Sequence, residues 1–145
     1  MPKNPAPQRE AFSYYLDVDT RWDDNDTYGH LNNTVHYRLF DTAVNRYLLE
    51  HDLVDFRKGT QIYLVVETGC SYFSELAYPD LLSVGITVEH LGRSSVRYRT
   101  GLFKKGADQA AAAGYFVHVH VDRTSRKPIP IEGRSRALFE KLMIS

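Results

Sequence analysis

The sequence predicts a single α+β domain in which one antiparallel sheet of five strands wraps around one long central helix. Three observations predict this class. Several stretches alternate apolar and polar residues with a period of two, one long stretch repeats apolar residues at helical spacing, and only short links separate the later strands. Short links favour antiparallel neighbours, because a parallel pair needs a long crossover between its strands.

The first strand and the long helix have the clearest patterns. Residues 12–22 alternate as a half-buried strand does, and residues 33–51 carry apolar side chains on one face of a helix with polar side chains opposite. Either Asn32 or Asn33 suits the N-cap of this helix, because its side-chain oxygen can accept a hydrogen bond from a free amide of the first turn.

Four further strands and a short helix complete the prediction. The strands are expected at residues 61–73, 82–88, 94–104 and 113–122. A short amphipathic helix follows at 132–144. The last strand carries His118 and His120 on one face, and we interpret them as partly exposed rather than as a metal-binding pair, since no Cys or carboxylate run completes a ligand set. Cys70 is interpreted as a small core residue.

Composition narrows the functional classes. The 145-residue chain is 43% hydrophobic and 25% charged with zero formal net charge, so its global charge suggests neither nucleic acid nor membrane as a partner. A single cysteine fits a reducing compartment, and we expect a cytoplasmic protein. Residues 1–10 hold three prolines and are predicted to form a flexible tail before a single domain at residues 11–145.

A polar stretch at residues 21–33 separates the first strand from the helix. A helix start offers free backbone N–H groups to an anion or a polarised carbonyl, so this is where a site is expected. Asp26 is the candidate reactive carboxylate, although an Asp-x-x-Gly sequence taken alone is ordinary turn chemistry. Asp23 and Asp24 are interpreted as solvated turn or capping residues.

Residues 24–33, Asp-Asn-Asp-Thr-Tyr-Gly-His-Leu-Asn-Asn, with Tyr37 after them, resemble a family signature. The signature is Asp-x-Asp-x-x-Gly-His-Val-Asn-Asn with a Tyr shortly after, and it belongs to the hotdog-fold acyl-CoA thioesterases of the hydroxybenzoyl-CoA thioesterase type. The departure inside the motif is Leu31 in place of Val. Later turns are also similar to those of the family, at residues 78–82, 91–95 and 122–128.

The resemblance implies a hotdog fold, and a homodimer or homotetramer with active sites shared at the subunit interface. It implies a small-molecule acyl-CoA substrate, no metal, and no cofactor beyond the coenzyme A of the substrate. Asp26 matches the essential carboxylate of the family, and the backbone N–H of Asn33 matches the donor to the thioester carbonyl. Asp26 could attack the carbonyl as a nucleophile or deprotonate a water as a general base, and both routes stay open.

The predicted substrate-binding residues lie in the motif and in two later turns. Within the motif, His30 is expected to support the loop, and Asn32 suits a helix cap better than a catalytic amide. Guanidinium groups in the later turns suit the nucleotide phosphates of coenzyme A, although a solvated sheet face explains any one of them. The full set is Gly29, His30, Asn32, Tyr37, Arg93, Ser94 and Arg126.

The leading functional hypothesis is therefore an acyl-CoA thioesterase, which hydrolyses its substrate to the free acid and coenzyme A. One alternative is an enzyme that hydrolyses acyl groups carried on acyl carrier protein. A second alternative is a hotdog protein that binds acyl-CoA without catalysis. The acyl group and its chain length do not follow from the sequence, because residues of two subunits and several loops would line the acyl pocket.

Overall fold

The computed structural model describes residues 4–144. Within them the chain forms one sheet with the strand order β1-β3-β4-β5-β2, and every neighbouring pair is antiparallel. This arrangement confirms the predicted α+β hotdog fold, with the sheet wrapped around α1. The elements are β1 (Tyr14–Asp19), α1 (Asn33–Glu50), β2 (Gln61–Tyr72), β3 (Leu81–Leu91), β4 (Ser95–Lys104), β5 (Ala112–Asp122) and α2 (Gly133–Leu142).

The first strand is shorter than the predicted 12–22. At its start, Phe12 lies on the outer face of the sheet in a separate apolar cluster with Phe103. At its end, residues Trp22–Asp24 form a 3-10 turn. Phe12 is buried, so it continues the apolar alternation of the sequence beyond the start of β1. It packs, however, on the side of the sheet that faces away from the helix.

The main core lies between α1 and the inward face of the sheet. The buried face of α1 includes Phe40, Ala43 and Val44, which are fully enclosed against inward residues of the sheet such as Ile86 and Tyr98. Full burial of one large apolar side chain is worth about 1.5 to 3 kcal/mol. This packing determines where the first turn of α1 lies, beside the end of β2 and the loop that leads into β3.

The segment before β1 differs from the predicted flexible tail. The Arg9 amide donates to the Asp108 carbonyl at 3.1 Å, and the Ala110 amide donates to the Pro7 carbonyl at 2.9 Å. These bonds fasten residues 7–10 to the turn between β4 and β5. Residues 1–3 of the predicted tail lie outside the described residues.

One long edge of the sheet is apolar and exposed. β2 pairs with β5 on one side, and its other side has no neighbour within residues 4–144. Leu64, Val65 and Val66 in its centre are between 37% and 59% exposed. An edge strand with exposed apolar side chains and unpaired backbone groups is a template for pairing with another strand.

The prediction of partly exposed histidines on β5 is wrong. His118 and His120 lie on the inward face of that strand, and only 2% and 6% of their surfaces are exposed. Their rings pack against Tyr63, whose ring centroid lies 5.9 Å from that of His118 and 4.7 Å from that of His120. Alternation alone cannot tell an inward from an outward face when both faces of a strand carry large side chains.

Among residues 4–144, no helix is long and apolar enough to cross a membrane. In the same part of the chain, no group of three or more His, Cys, Asp or Glu side chains is arranged to hold a metal ion.

We predict that His118 makes the fold sensitive to acid. Burial lowers the pKa of His118 from its ordinary value of 6.5 to about 4. As the pH falls from 6.5 to 4, the unfolded chain binds a proton at this residue and the folded chain does not, so the free energy of unfolding falls by about 3 kcal/mol. Urea unfolding of His118→Gln should show a shallower loss over this pH range than wild type. His90→Gln, at an exposed histidine, is the control and should keep the wild-type slope.

Candidate active site

The loop that carries Asp26 is closed by a tight turn. The Gly29 amide donates to the Asp26 carbonyl at 3.1 Å, and the Asp26 amide donates to the His30 carbonyl at 2.9 Å. Gly29 has φ of +87°, in the left-handed region where glycine meets no side-chain penalty. The turn expected of an Asp-x-x-Gly sequence is therefore present, and it brings Asp26 back towards the start of α1.

Asp24 connects this loop to the helix. Its Oδ1 accepts a hydrogen bond of 2.8 Å from the Arg38 guanidinium on α1, and its Oδ2 accepts one of 2.8 Å from the Arg21 amide. The Asp24 carbonyl accepts a third bond, of 2.9 Å, from the Asn32 amide. Asp24 is only 1% exposed, so it is not solvated, while the bond from the Arg21 amide makes it the capping residue that the interpretation also allowed. The burial of Asp24 was not predicted, because its partner Arg38 lies fourteen residues away in the sequence.

A second loop, residues 73–80 between β2 and β3, is joined to the first. The Leu31 amide donates to the Leu76 carbonyl at 2.7 Å, and the Tyr78 amide donates to the Asn25 side-chain oxygen at 2.9 Å. Thr20 ties the base of the same loop, because its hydroxyl donates to the Asp80 carbonyl at 2.7 Å. The two loops therefore form one braced structure beside the first turn of α1.

Of the two asparagines predicted as candidates, Asn32 is the N-cap of α1. Its Oδ1 accepts hydrogen bonds from the Thr34 amide at 2.9 Å and from the Thr34 hydroxyl at 2.8 Å. The amide of Asn33 has no acceptor among residues 4–144 and stands at the positive end of the helix dipole. Capping consumes the Asn32 oxygen and leaves the Asn33 amide free, which is the arrangement an oxyanion donor requires.

Asp26 and Asn33 line the same cavity, which has a volume of about 250 Å³. The Oδ1 atom of Asp26 accepts a hydrogen bond of 2.8 Å from the Tyr28 amide. This is the turn chemistry expected of an Asp-x-x-Gly sequence, but it uses only one carboxylate oxygen. The Oδ2 atom lies 3.8 Å from His30 Nδ1 and is available to a substrate.

His30 lies between two carboxylates. Its Nδ1 is 3.8 Å from Asp26 and its Nε2 is 3.8 Å from the exposed Glu75 carboxylate. Both distances exceed those of a hydrogen bond. The ring also stacks on the exposed Tyr28 at a centroid distance of 6.4 Å. The ring therefore contacts the loop without a hydrogen bond to either carboxylate, and the supporting role of His30 stays a prediction.

His36 also lines the cavity, and the sequence interpretation missed it. It is 3% exposed, its Nδ1 atom has no hydrogen-bond partner among the described residues, and the ring of Tyr72 meets it edge-on at 4.8 Å. Burial lowers the pKa of His36, and the nearby carbonyls of Asn32 and Asn33 only partly offset this. The available signal was its place on the apolar face of α1, four residues before Phe40.

The remaining predicted residues lie outside this cavity. Tyr37 is half-buried on α1 beside Tyr72. Arg93 and Ser94 are in the β3–β4 hairpin, and Arg126 is in the turn after β5. The cavity adjoins the start of β3 and the hairpin follows its end, which is about 30 Å away for eleven extended residues. One chain therefore does not bring Arg93, Ser94 and Arg126 to Asp26.

Comparison with known proteins identifies the family. The model of the thioesterase-like superfamily matches residues 20–139, which is most of the chain. Together with the fold, this match defines a hotdog-fold thioester hydrolase. The chain belongs to the thioesterase-like superfamily. No curated protein matches the sequence.

Solved structures extend the likeness. The PA5185 protein from Pseudomonas aeruginosa strain PAO1 is 45% identical with a TM-score of 0.94, and the match covers 97% of this chain and 99% of that chain. A 1,4-dihydroxy-2-naphthoyl-CoA thioesterase from Synechocystis is 15% identical with a TM-score of 0.78, over 87% and 94% of the two chains. A DHNA-CoA thioesterase from Staphylococcus aureus is 19% identical with a TM-score of 0.75, over 88% and 86%. At the two lower identities the likeness concerns the fold.

We predict that removal of the Asp24 charge detaches the loop from the helix. Asp24→Asn should lower the free energy of unfolding by about 1 to 3 kcal/mol, because asparagine has one acceptor oxygen where the buried Asp24 carboxylate accepts from both Arg38 and Arg21. Chemical denaturation would measure this loss. Asp23→Asn, at the exposed neighbouring carboxylate, should change stability by less than about 0.5 kcal/mol. Equal effects of the two variants would contradict the assignment.

Proposed function

We propose that this thioester hydrolase acts on acyl-CoA, with Asp26 as the reactive carboxylate and the Asn33 amide as the donor to the thioester carbonyl. The observation that carries the proposal is that both groups line one cavity, and that each has its reactive atom unused by the fold. Asp24 holds the loop of Asp26 beside the start of α1 through three hydrogen bonds, with Arg38, Arg21 and Asn32.

The chemistry follows from these two groups. The carbonyl oxygen of the thioester accepts a hydrogen bond from the Asn33 amide, and the helix dipole stabilises the negative charge that develops there. A well-placed donor of this kind is worth about 2.7 to 4 kcal/mol in the transition state. The leaving thiolate needs no separate acid, because thiol pKa values lie near 8.5.

Asp26 has two routes to the product. As a nucleophile, its Oδ2 bonds to the carbonyl carbon, the C–S bond breaks to release the thiolate of coenzyme A, and water then hydrolyses the mixed anhydride to restore Asp26. As a general base, it takes a proton from a water that attacks the same carbon, and this proton passes to the departing thiolate. Both routes need one free carboxylate oxygen.

We further propose that the active unit is a homodimer formed through β2. An exposed apolar edge strand pairs readily with its own copy in antiparallel fashion. Such pairing brings the start of β2 in one subunit next to the end of β2 in the other. Tyr72, at the end of β2, lines the cavity, while the turn that holds Arg126 adjoins the start of β2. Arg126 of the partner subunit would then lie near the cavity and bind phosphates of coenzyme A.

We predict that Asp26→Asn lowers kcat for acyl-CoA hydrolysis by about 100- to 10,000-fold, because the variant lacks the nucleophile or base. Thiol release from a panel of acyl-CoA substrates measures this rate. Asp23→Asn, three residues earlier and exposed, is the matched control and should keep wild-type activity. Equal activity of wild type and folded Asp26→Asn on every substrate would refute the role of Asp26.

The same assay separates the alternative functions. Faster hydrolysis of acyl groups on acyl carrier protein than on coenzyme A would favour the carrier-protein thioesterase. Thermal stabilisation by acyl-CoA without any release of thiol would favour a binding protein.

We predict that Val66→Asp separates the subunits. A charge at this exposed position of the β2 edge opposes strand pairing, so the mass in solution should fall from that of two chains or more to that of one, and the activity should fall with it. Sedimentation equilibrium measures the mass. Leu49→Asp changes an equally apolar, exposed residue on α1 and should preserve the dimer. A wild-type protein that is monomeric at assay concentration would contradict the proposal.

A further inference from the structure

We infer that Glu75 helps to give the cavity a negative potential that disfavours acyl groups with a carboxylate at their far end, so that the substrates are uncharged or cationic acyl-CoA molecules. The inference rests on the proposed acyl-CoA thioesterase function and names the substrate class of the same site. It starts from the second carboxylate in the cavity wall, which the proposed chemistry of Asp26 and Asn33 does not use.

The charges that line the cavity are of one sign. Asp26 and Glu75 are its two carboxylates, and no lysine or arginine among residues 4–144 lines it. Arg38, which is bonded to Asp24 at 2.8 Å, lies outside its wall. Carboxylates are ionised at pH 7, whereas burial lowers the pKa of His36 and keeps that ring neutral. The cavity therefore holds two negative charges without a lysine or arginine to balance them.

Glu75 is close enough to Asp26 for both charges to act on one ligand. The His30 ring lies between them, with its Nδ1 atom 3.8 Å from Asp26 and its Nε2 atom 3.8 Å from Glu75. A sphere with the volume of this cavity, about 250 Å³, is about 8 Å across. A charged group inside it is therefore within the range of both carboxylates.

A carboxylate on a short acyl chain cannot avoid these charges. In the proposed reaction the chain starts at the thioester carbon beside Asp26, so a group four bonds further on stays near Asp26 whichever way the chain turns. Like charges repel at such distances, and a carboxylate also loses hydration without a cation to replace it. In the proposed dimer, Arg126 of the partner subunit binds the phosphates of coenzyme A, whose negative charge exceeds that of one guanidinium.

Glu75 allows the charge to be tested apart from Asp26, whose carboxylate the reaction itself needs. The side chain of Glu75 is 80% exposed, so solvent weakens its field. Its removal should therefore change the relative rate for a charged substrate by about threefold rather than by orders of magnitude. A change of this size is measurable when the charged substrate is compared with an uncharged one of the same shape.

The test uses two pairs of acyl-CoA substrates. Glutaryl-CoA ends in a carboxylate where 5-methylhexanoyl-CoA ends in an isopropyl group. In the second pair, 4-(trimethylammonio)butanoyl-CoA ends in a quaternary ammonium group where 5,5-dimethylhexanoyl-CoA ends in a tert-butyl group. The ratio of kcat/KM, charged over uncharged, is measured within each pair at about pH 8.5, where imidazole is uncharged. In wild type the anionic ratio should be about 0.1 or lower, and the cationic ratio should be higher than the anionic one.

Glu75→Gln should move the two ratios in opposite directions. It removes one negative charge, so the anionic ratio should rise about threefold and the cationic ratio should fall about threefold. Both changes should shrink when the salt concentration is raised from about 0.05 M to about 0.5 M, because salt screens an exposed charge. Glu140→Gln, at an exposed glutamate on α2, is the matched control and should leave both ratios unchanged.

The outcomes that contradict charge selection differ from the one that contradicts hydrolysis. A wild-type anionic ratio near one would overturn the inference. Changes of the same sign in both ratios of Glu75→Gln would overturn it too, since they report a change of shape. Equal changes in Glu140→Gln would trace the effect to overall charge and overturn it as well. If wild type hydrolyses neither the charged nor the uncharged acyl-CoA substrates, the proposed function fails together with the inference.

Discussion

The buried carboxylate of Asp24 is the interaction on which the rest of the site depends. It is bonded to Arg38 on the helix and to Arg21 at the start of the loop, and its carbonyl fixes the Asn32 amide. In the proposed site one carboxylate acts together with one backbone amide, so their alignment must come from the backbone. Asp24 supplies it by tying the loop of Asp26 to the first turn of α1, where the Asn33 amide is free.

The two ends of the sheet differ in what surrounds them. At one end the strands stop beside polar loops, and Asp26, Asn33 and His36 line a cavity. At the other end aromatic rings and His118 fill the core, with Tyr98 wholly enclosed. The packing there also encloses the Tyr98 hydroxyl and the His118 Nδ1 atom, neither of which has a hydrogen-bond partner among residues 4–144. Buried polar atoms without a partner therefore occur at both ends, and the apolar packing of the core has to offset their cost.

The sequence was informative where local chemistry decides the structure. The helix from Asn33, its cap at Asn32 and the turn at Gly29 each follow from a few adjacent residues, and all three were predicted. The burial of Asp24 and His118 was not, because it depends on partners distant in sequence and on which face of a strand meets the helix. Arg126 illustrates the same limit. Its turn resembles one in the family, but within one chain the sheet holds that turn far from Asp26.

The connection between the two loops determines how a substrate enters. The bonds from Leu31 to Leu76 and from Tyr78 to Asn25 join the walls of the cavity, so neither loop can open as an independent lid. The cavity adjoins the open edge of β2 at Tyr72, whose side chain is 40% exposed. A second subunit bound to that edge would form part of the entrance to the cavity. In the proposed dimer, substrate entry, nucleotide binding and subunit pairing would share one surface, so a change in that surface would alter all three.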